Sequence, residues 1–265
     1  MLGLIKSNPL ETKVEGPAIP SRRLFGVDIH ALDMRQAVET IRGWMDAPTG
    51  ACRYVVTPNV DHVVLMQHHA GLRQAYAEAG LVLADGWPVV LASRLLGRPL
   101  PERVAGSDLV PALFSTNGSL RVFLLGAAPG VADCAAAKIR DQWPSIRVVG
   151  TCSPRLGFES IAEENREILE RINRAQPDLL IIGLGAPKQE LWIRSNYQHV
   201  TAPAALCVGA TIDFLAGHRR RAPLWMQRRG LEWFYRMIKE PRRLAWRYAY
   251  DARVFPQLLW RELRR

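Results

Sequence analysis

Short apolar runs alternate with longer helical patterns along most of the chain, and this alternation restricts the fold more than any other feature. The runs predict strands at 54–57, 81–84, 122–126, 147–150, 179–183 and 205–208. Apolar residues at helical spacing predict helices at 34–45, 61–79, 89–96, 131–142, 161–175 and 188–197. Such alternation is typical of α/β proteins. We therefore predict a Rossmann-like α/β fold, with a largely parallel sheet flanked by helices.

Charge divides the chain into a neutral body and a basic end. Residues 218–265 hold 14 Lys and Arg against 4 Asp and Glu, whereas the preceding 217 residues hold 21 of each sign. The same segment carries 9 of the 21 aromatic residues. We therefore predict a flexible leader at 1–21, an α/β core at 22–217 and a basic helical appendage at 218–265. Pro241 and Pro256 are expected to interrupt the helices of the appendage.

Basic residues mixed with Trp and Tyr indicate an anionic partner for the appendage. An anionic membrane surface suits this mixture, because aromatic rings settle among lipid head groups. Single-stranded nucleic acid is an alternative, and so is a solvated helix whose aromatics pack on their own domain. No uncharged apolar run reaches the roughly 18 residues of a membrane span. The four cysteines are widely spaced, which argues against a disulfide or metal framework and favours a reduced, cytoplasmic setting. The expected location is cytoplasmic and peripheral, on the inner face of the cell membrane.

Two glycine-containing turns follow predicted strands. Gly126 to Gly130 lies between a strand and a helix, where backbone N–H groups suit a phosphate. A tight turn without a ligand explains the same pattern, since the Gly-x-Gly-x-x-Gly spacing of dinucleotide folds is missing. The second turn leads into Lys188, Gln189 and Glu190. Solvent exposure explains one or two of these side chains equally well, but they follow a strand's carboxyl end, where open α/β sheets bind ligands.

Polar residues also follow two other predicted strands. Asp85 precedes Gly86, and a carboxylate there suits either a general base or a turn. Thr57 and Asn59 offer a hydroxyl and an amide, while Asp33 and Asn59 are predicted helix N-caps. The chain has no Asp-x-Asp and no His or carboxylate cluster, so neither a metal site nor a cofactor is expected.

Taken together, these strings resemble the WecG/TagA/CpsF glycosyltransferase family from about residue 24 onward. The matching strings, in order, are Thr57-Pro-Asn59, Asp85-Gly86, Pro101-Glu-Arg103-Val-Ala-Gly106, Gly126-Ala-Ala-Pro-Gly130, Gly183-Leu-Gly-Ala-Pro-Lys-Gln189-Glu190, Asp213-Phe-Leu-Ala-Gly217, Arg221-Ala-Pro223, Gly230-Leu-Glu-Trp233 and Glu240-Pro-Arg-Arg243. Each string is weak alone, and their shared order makes the resemblance specific.

The resemblance implies an inverting, metal-independent transfer from a UDP-sugar to a polyprenyl-diphosphate-linked sugar. The donor sugar would be N-acetylmannosamine, its uronic acid or glucose. Asp85 matches the family's proposed base. The residues that the resemblance assigns to substrate binding are Thr57, Asn59, Arg103 and Gln189, with Arg236, Arg243 and Arg247 at the leaving diphosphate; the Gly126 turn is added as a phosphate candidate.

Two other classes of function remain as alternatives. A Rossmann-like nucleotide-binding oxidoreductase fits the predicted sheet but lacks the glycine fingerprint. A nucleic-acid-binding protein fits the basic appendage but leaves Asp85, Thr57 and Gln189 unexplained, so nucleic acid is not an expected partner. The sequence leaves open whether the chain forms homo-oligomers.

Overall fold

The computed structural model describes residues 19–116 and 118–264, apart from the side chains of Arg228 and Arg243. The predicted leader lies almost wholly outside the described residues. The strands are β1 Ser21–Leu24, β2 Val27–His30, β3 Arg53–Val56, β4 Leu81–Val82, β5 Leu120–Gly126, β6 Ile146–Cys152, β7 Leu179–Gly183 and β8 Ala204–Cys207. The helices are α1 Met34–Asp46, α2 Val60–Met66, α3 Ala70–Ala77, α4 Trp87–Leu95, α5 Gly106–Phe114, α6 Val131–Gln142, α7 Ala162–Ala175, α8 Lys188–Asn196, α9 Thr211–Leu215, α10 Leu224–Arg228, α11 Glu232–Lys239 and α12 Pro241–Leu263.

A six-stranded sheet in the order β4-β3-β8-β7-β5-β6 forms the centre of the fold. Every neighbouring pair in it is parallel. The six predicted strands are found with bounds shifted by at most two residues, and the α/β prediction is confirmed. Because all six strands run the same way, their carboxyl ends meet at one edge of the sheet.

Helices cover both faces of this sheet, which explains why its strands read as continuous apolar runs. In β7, Leu180 and Ile182 belong to one buried cluster, and Leu179 and Ile181 belong to the cluster on the opposite face. Successive side chains of a strand point to opposite faces, so a strand buried on both sides needs apolar residues at every position.

Local structure departs from the sequence prediction in the first half of the chain. The single helix expected at 61–79 is two helices, because His69 caps α3 by accepting a hydrogen bond from the Leu72 N–H at 3.1 Å. Asp33 and Asn59 cap α1 and α2 as predicted. The β1–β2 hairpin and α5 were not expected. The hairpin turns at Phe25 and Gly26, both at positive φ.

The basic appendage contains α10, α11 and α12. Pro241 begins α12, but Pro256 lies inside it and the helix continues, so the predicted interruption at Pro256 is wrong. A proline removes one helical hydrogen bond, and packing offsets this loss here. The ring of Phe255 lies 5.2 Å from that of Phe25, and Leu258 belongs to a core cluster. The boundary at 217/218 stays a prediction.

Candidate active site

The carboxyl ends of β3, β4 and β8 bring several predicted site residues together. Asp85 follows β4, and its backbone N–H donates to the carbonyl of Pro58 at 2.9 Å. The buried hydroxyl of Thr57 donates to the carbonyl of Cys207 at 3.4 Å. Asn59 packs near Gly86, while its Oδ1 accepts from the first turn of α2. The parallel sheet thus places Thr57, Asn59 and Asp85 at one edge.

The carboxyl group of Asp85 has an unusual electrostatic environment. Burial raises its pKa from 3.8 to about 6, against the opposing charges of Arg103 and Arg236. The negative charge of Glu232 also raises the pKa of Asp85. Its side chain still keeps 31% of its surface exposed, so a substrate can reach it. A carboxyl group with a pKa near 6 suits a general base working close to neutral pH.

A chain of ion pairs runs from Asp85 into the basic appendage. Arg103 lies 3.5 Å from Asp85 through Nη1 and 2.6 Å from Asp108 through Nη2. Arg221 lies 2.5 Å from the other oxygen of Asp108 and 3.4 Å from Glu232 on α11. Arg221 is not one of the site residues predicted from the sequence, although its Arg-Ala-Pro string is part of the family resemblance. The start of the appendage is therefore attached to the residues that hold Arg103.

Gln189 is buried, and both the oxygen and the nitrogen of its side-chain amide form hydrogen bonds within the protein. Its Oε1 accepts the Gly209 N–H at 3.1 Å, and its Nε2 donates to Glu190 at 2.8 Å. This arrangement joins α8 to the loop after β8, so contact with substrate stays a prediction for Gln189. Glu190 was not selected from the sequence. Burial raises the pKa of Glu190 to about 7, and its Oε2 is buried without a hydrogen-bond partner among the described residues.

Gly126 has a packing role that the sequence left open. Its φ is +118°, and a Cβ at this position would lie 2.5 Å from the carbonyl carbon and oxygen of Gly183. Only glycine therefore allows β5 to approach β7 so closely at this end. The structure gives a sufficient reason for the tight-turn interpretation, and phosphate binding at Gly126 stays a prediction.

The three predicted diphosphate arginines of the appendage have different positions. Arg236 on α11 is half-buried and close enough for its charge to lower the pKa of Asp85. Arg247 on α12 lies 3.2 Å from Asp61, in the first turn of α2, and its Nε is buried without a hydrogen-bond partner among the described residues. The side chain of Arg243 lies outside the described residues. Of the two arginines whose side chains are described, Arg236 is the one whose charge acts on Asp85.

Neither a metal cluster nor a membrane span is found in the part of the chain that the structure describes. No group of three or more His, Cys, Asp and Glu side chains in residues 19–116 and 118–264 is placed to hold a metal ion. No helix within those ranges has both the length and the apolar character needed to cross a bilayer. Around Asp85, the positive charges come from arginine side chains.

Comparisons with known proteins agree with the strings found in the sequence. A model of the glycosyl transferase WecG/TagA/CpsF family matches residues 22–265. Curated relatives from Staphylococcus aureus strains MW2 and NCTC 8325 / PS 47 are each 28% identical over 224 residues, which is 84% of this chain and 86% of theirs. Both carry the name N-acetylglucosaminyldiphosphoundecaprenol N-acetyl-beta-D-mannosaminyltransferase.

Proposed function

The chain belongs to the WecG/TagA/CpsF family of glycosyl transferases, and on that basis we propose that it transfers a sugar from a UDP-sugar to a polyprenyl-diphosphate-linked sugar. One observation carries the proposal within the site. Asp85 combines a pKa of about 6 with a side chain that is 31% exposed at the carboxyl-end edge of the parallel sheet, where such sheets bind ligands. The oxidoreductase and nucleic-acid alternatives have no support among the related proteins.

In the proposed reaction, Asp85 removes a proton from the acceptor sugar. The acceptor hydroxyl oxygen then attacks the anomeric carbon of the donor, and the bond from that carbon to the UDP oxygen breaks on the opposite face. Attack and departure on opposite faces invert the anomeric configuration. The proton ends on Asp85 and the electron pair of the broken bond leaves with UDP. General-base assistance of this kind requires a carboxylate that is ionised at the working pH.

Departure of UDP places negative charge on the leaving diphosphate, and arginines are suited to stabilise that charge. A guanidinium group stays protonated and binds two phosphate oxygens at once. Arg103 and Arg236 both influence Asp85 and are therefore close to the reacting atoms. Arg243 and Arg247 follow from the family resemblance, and Arg247 would need to exchange its contact with Asp61 for the diphosphate.

The test of the proposed function is acceptor-dependent release of UDP. Purified protein is offered UDP-N-acetylmannosamine, UDP-N-acetylmannosaminuronic acid and UDP-glucose with a polyprenyl-diphosphate-linked N-acetylglucosamine. N-acetylmannosamine is the first donor to test, because the relatives are named for that sugar. UDP release that requires both substrates supports the proposal. Its absence with all three donors contradicts it.

Activity is expected to survive removal of divalent cations. If arginines supply the positive charge at the leaving diphosphate, EDTA should leave the initial rate within about twofold of the untreated rate. The measurement compares UDP release with EDTA, with Mg²⁺ and with Mn²⁺. Abolition of turnover by EDTA and its recovery with Mn²⁺ would show that a metal, and not arginine alone, stabilises the diphosphate.

Peripheral attachment to an anionic membrane is part of the same proposal. The appendage exposes large side chains that soluble surfaces seldom carry together. These exposed residues are Leu224, Trp225, Trp233, Phe234, Ile238, Trp246, Tyr250, Trp260 and Leu263. Each basic residue near an anionic surface adds about 1 kcal/mol of attraction, and inserted aromatic rings add an apolar contribution that salt does not screen.

Binding to anionic liposomes is therefore expected to weaken in high salt without vanishing. Trp246, with 84% of its surface exposed, should contribute through its ring. We expect Trp246→Ser to lower liposome affinity about fivefold, the effect of losing roughly 1 kcal/mol of apolar burial. Leu156→Ser is the matched control, because Leu156 is 94% exposed on the α/β body. Equal co-sedimentation of the two variants would count against membrane insertion of the appendage.

A further inference from the structure

An exposed apolar stripe leads away from Asp85 along α4. Trp87 comes two residues after Asp85, and Leu91 and Leu95 follow at intervals of four, so the three side chains share one face of the helix. Leu91 is 56% exposed and Leu95 is 59% exposed, whereas the opposite face of α4 is buried. This stripe lies on the α/β body and is not part of the appendage.

The appendage forms the second wall of a groove over this stripe. Trp87 Nε1 donates to the carbonyl of Gln227 at 3.3 Å, just before the turn at Arg229 and Gly230. A Cβ on Gly230 would lie 2.9 Å from the Trp87 ring, so the two walls are in close contact there. The groove has a volume of about 360 Å³ and is lined by Trp87, Pro88, Leu91, Arg94, Arg229 and Gly230.

Each wall of the groove also carries an arginine. Arg94 extends from α4 and Arg229 from the turn, and both side chains are exposed. Within the described part of the chain, neither guanidinium group forms an ion pair with a carboxylate. Arg229 contacts the Trp225 ring, with 6.0 Å between its guanidinium carbon and the ring centroid. An apolar floor with cations on both walls suits an amphiphile whose anionic group adjoins a hydrocarbon chain.

We propose that this groove binds the diphosphate and the first isoprene units of the lipid-linked acceptor. The inference rests on the proposed function. The acceptor hydroxyl must lie at Asp85, the diphosphate follows the acceptor sugar, and the isoprenoid chain follows the diphosphate. The groove offers matching chemistry: α4 begins two residues after Asp85, Arg229 and Arg94 line the walls, and Leu91 adds an apolar surface that Leu95 extends along the same face of the helix. From Trp87 to Leu95 the helix extends about 12 Å at 1.5 Å per residue.

The test is calorimetric binding of farnesyl diphosphate, compared with inorganic diphosphate, below the concentration at which farnesyl diphosphate forms micelles. The full-length protein should bind farnesyl diphosphate at least about tenfold more tightly, since two leucine side chains contact the chain. The double variant Leu91→Gln/Leu95→Gln should lose that preference. Both leucines are exposed, so folding is preserved. Leu156→Gln is the matched control and should keep the preference.

Arg94→Gln separates the anionic part of the site from its apolar part. The substitution should lower the affinity for farnesyl diphosphate and for inorganic diphosphate by a similar factor of about three to ten, because charge-assisted contacts to phosphate are lost. The ratio of the two affinities should stay unchanged, because the apolar contacts are kept. An unchanged affinity for both ligands in Arg94→Gln would overturn the placement of the diphosphate in this groove.

Other outcomes would assign the stripe differently. If the double leucine variant binds farnesyl diphosphate normally but loses binding to anionic liposomes, the bilayer itself covers α4 and the proposal is overturned. Equal affinity of the native protein for the two diphosphates also overturns it. Because binding is measured without sugar transfer, failure of the proposed function would appear in the UDP-release assay and not in this experiment.

Discussion

Replacement of Asp85 by asparagine is expected to lower kcat by about a hundredfold to ten-thousandfold, the usual contribution of a general base. Asparagine keeps the shape of the side chain but cannot accept the proton of the acceptor hydroxyl. The backbone contact from Asp85 to Pro58 does not involve the side chain and is retained. Steady-state UDP release measures the loss, and calorimetry should show that UDP still binds.

Asp46→Asn is the control for this substitution, because Asp46 is exposed at the end of α1. The control should keep native turnover. Near-normal turnover of Asp85→Asn would remove Asp85 from the proton transfer, while a loss of both turnover and UDP binding would assign it to substrate binding instead.

Replacement of Arg103 by alanine is expected to reduce turnover most strongly at acidic pH. Arg103 opposes the burial effect on Asp85, so its removal should raise the pKa of Asp85 above its native value of about 6. A base works only when ionised, so the acidic limb of the pH profile of kcat/KM should move to higher pH. The variant should therefore lose more activity at pH 6 than at pH 8.

The same substitution should also lower stability. Asp85 and Asp108 lose the cation between them, and removing one partner of a buried ion pair typically costs about 3–5 kcal/mol. Because about a third of each carboxylate side chain remains exposed, we expect about 1–3 kcal/mol by denaturant unfolding.

The pH dependence of that stability has a definite sign. Since burial raises the pKa of Asp85 from 3.8 to about 6, the folded chain binds more protons than the unfolded chain between these values. The contribution of Asp85 therefore lowers stability as pH rises through that window. Because Arg103→Ala should raise the folded-state pKa of Asp85 further, the pH range over which stability falls should extend to higher pH. Arg103→Lys is the control, since it keeps the charge, and it should shift the acidic limb less. A pH profile of Arg103→Ala that matches the native one would contradict the coupling of Arg103 to Asp85.

Much of the fold and part of the site followed from the sequence, because the signals are local. Continuous apolar runs predicted all six strands of the parallel sheet, and Asp33 and Asn59 marked helix starts through short-range capping. The family resemblance, and not the strand pattern, assigned Thr57, Asn59 and Asp85 to one site. The ordered family strings added the class of enzyme, which periodicity alone does not carry.

Other features depend on residues far apart in the chain, so only the tertiary structure decided them. The continuation of α12 through Pro256 depends on the packing of Phe255 against Phe25 and of Leu258 in the core. The break between α2 and α3 and the β1–β2 hairpin are instead local features that the apolar periodicity did not reveal, formed by the His69 cap and by the turn at Phe25 and Gly26. Arg221 joined the site because Asp108, more than a hundred residues earlier, faces it. The raised pKa of Asp85 likewise requires burial by the folded chain and charges from α11. Local chemistry determined which residues were available, and long-range packing decided which of them meet.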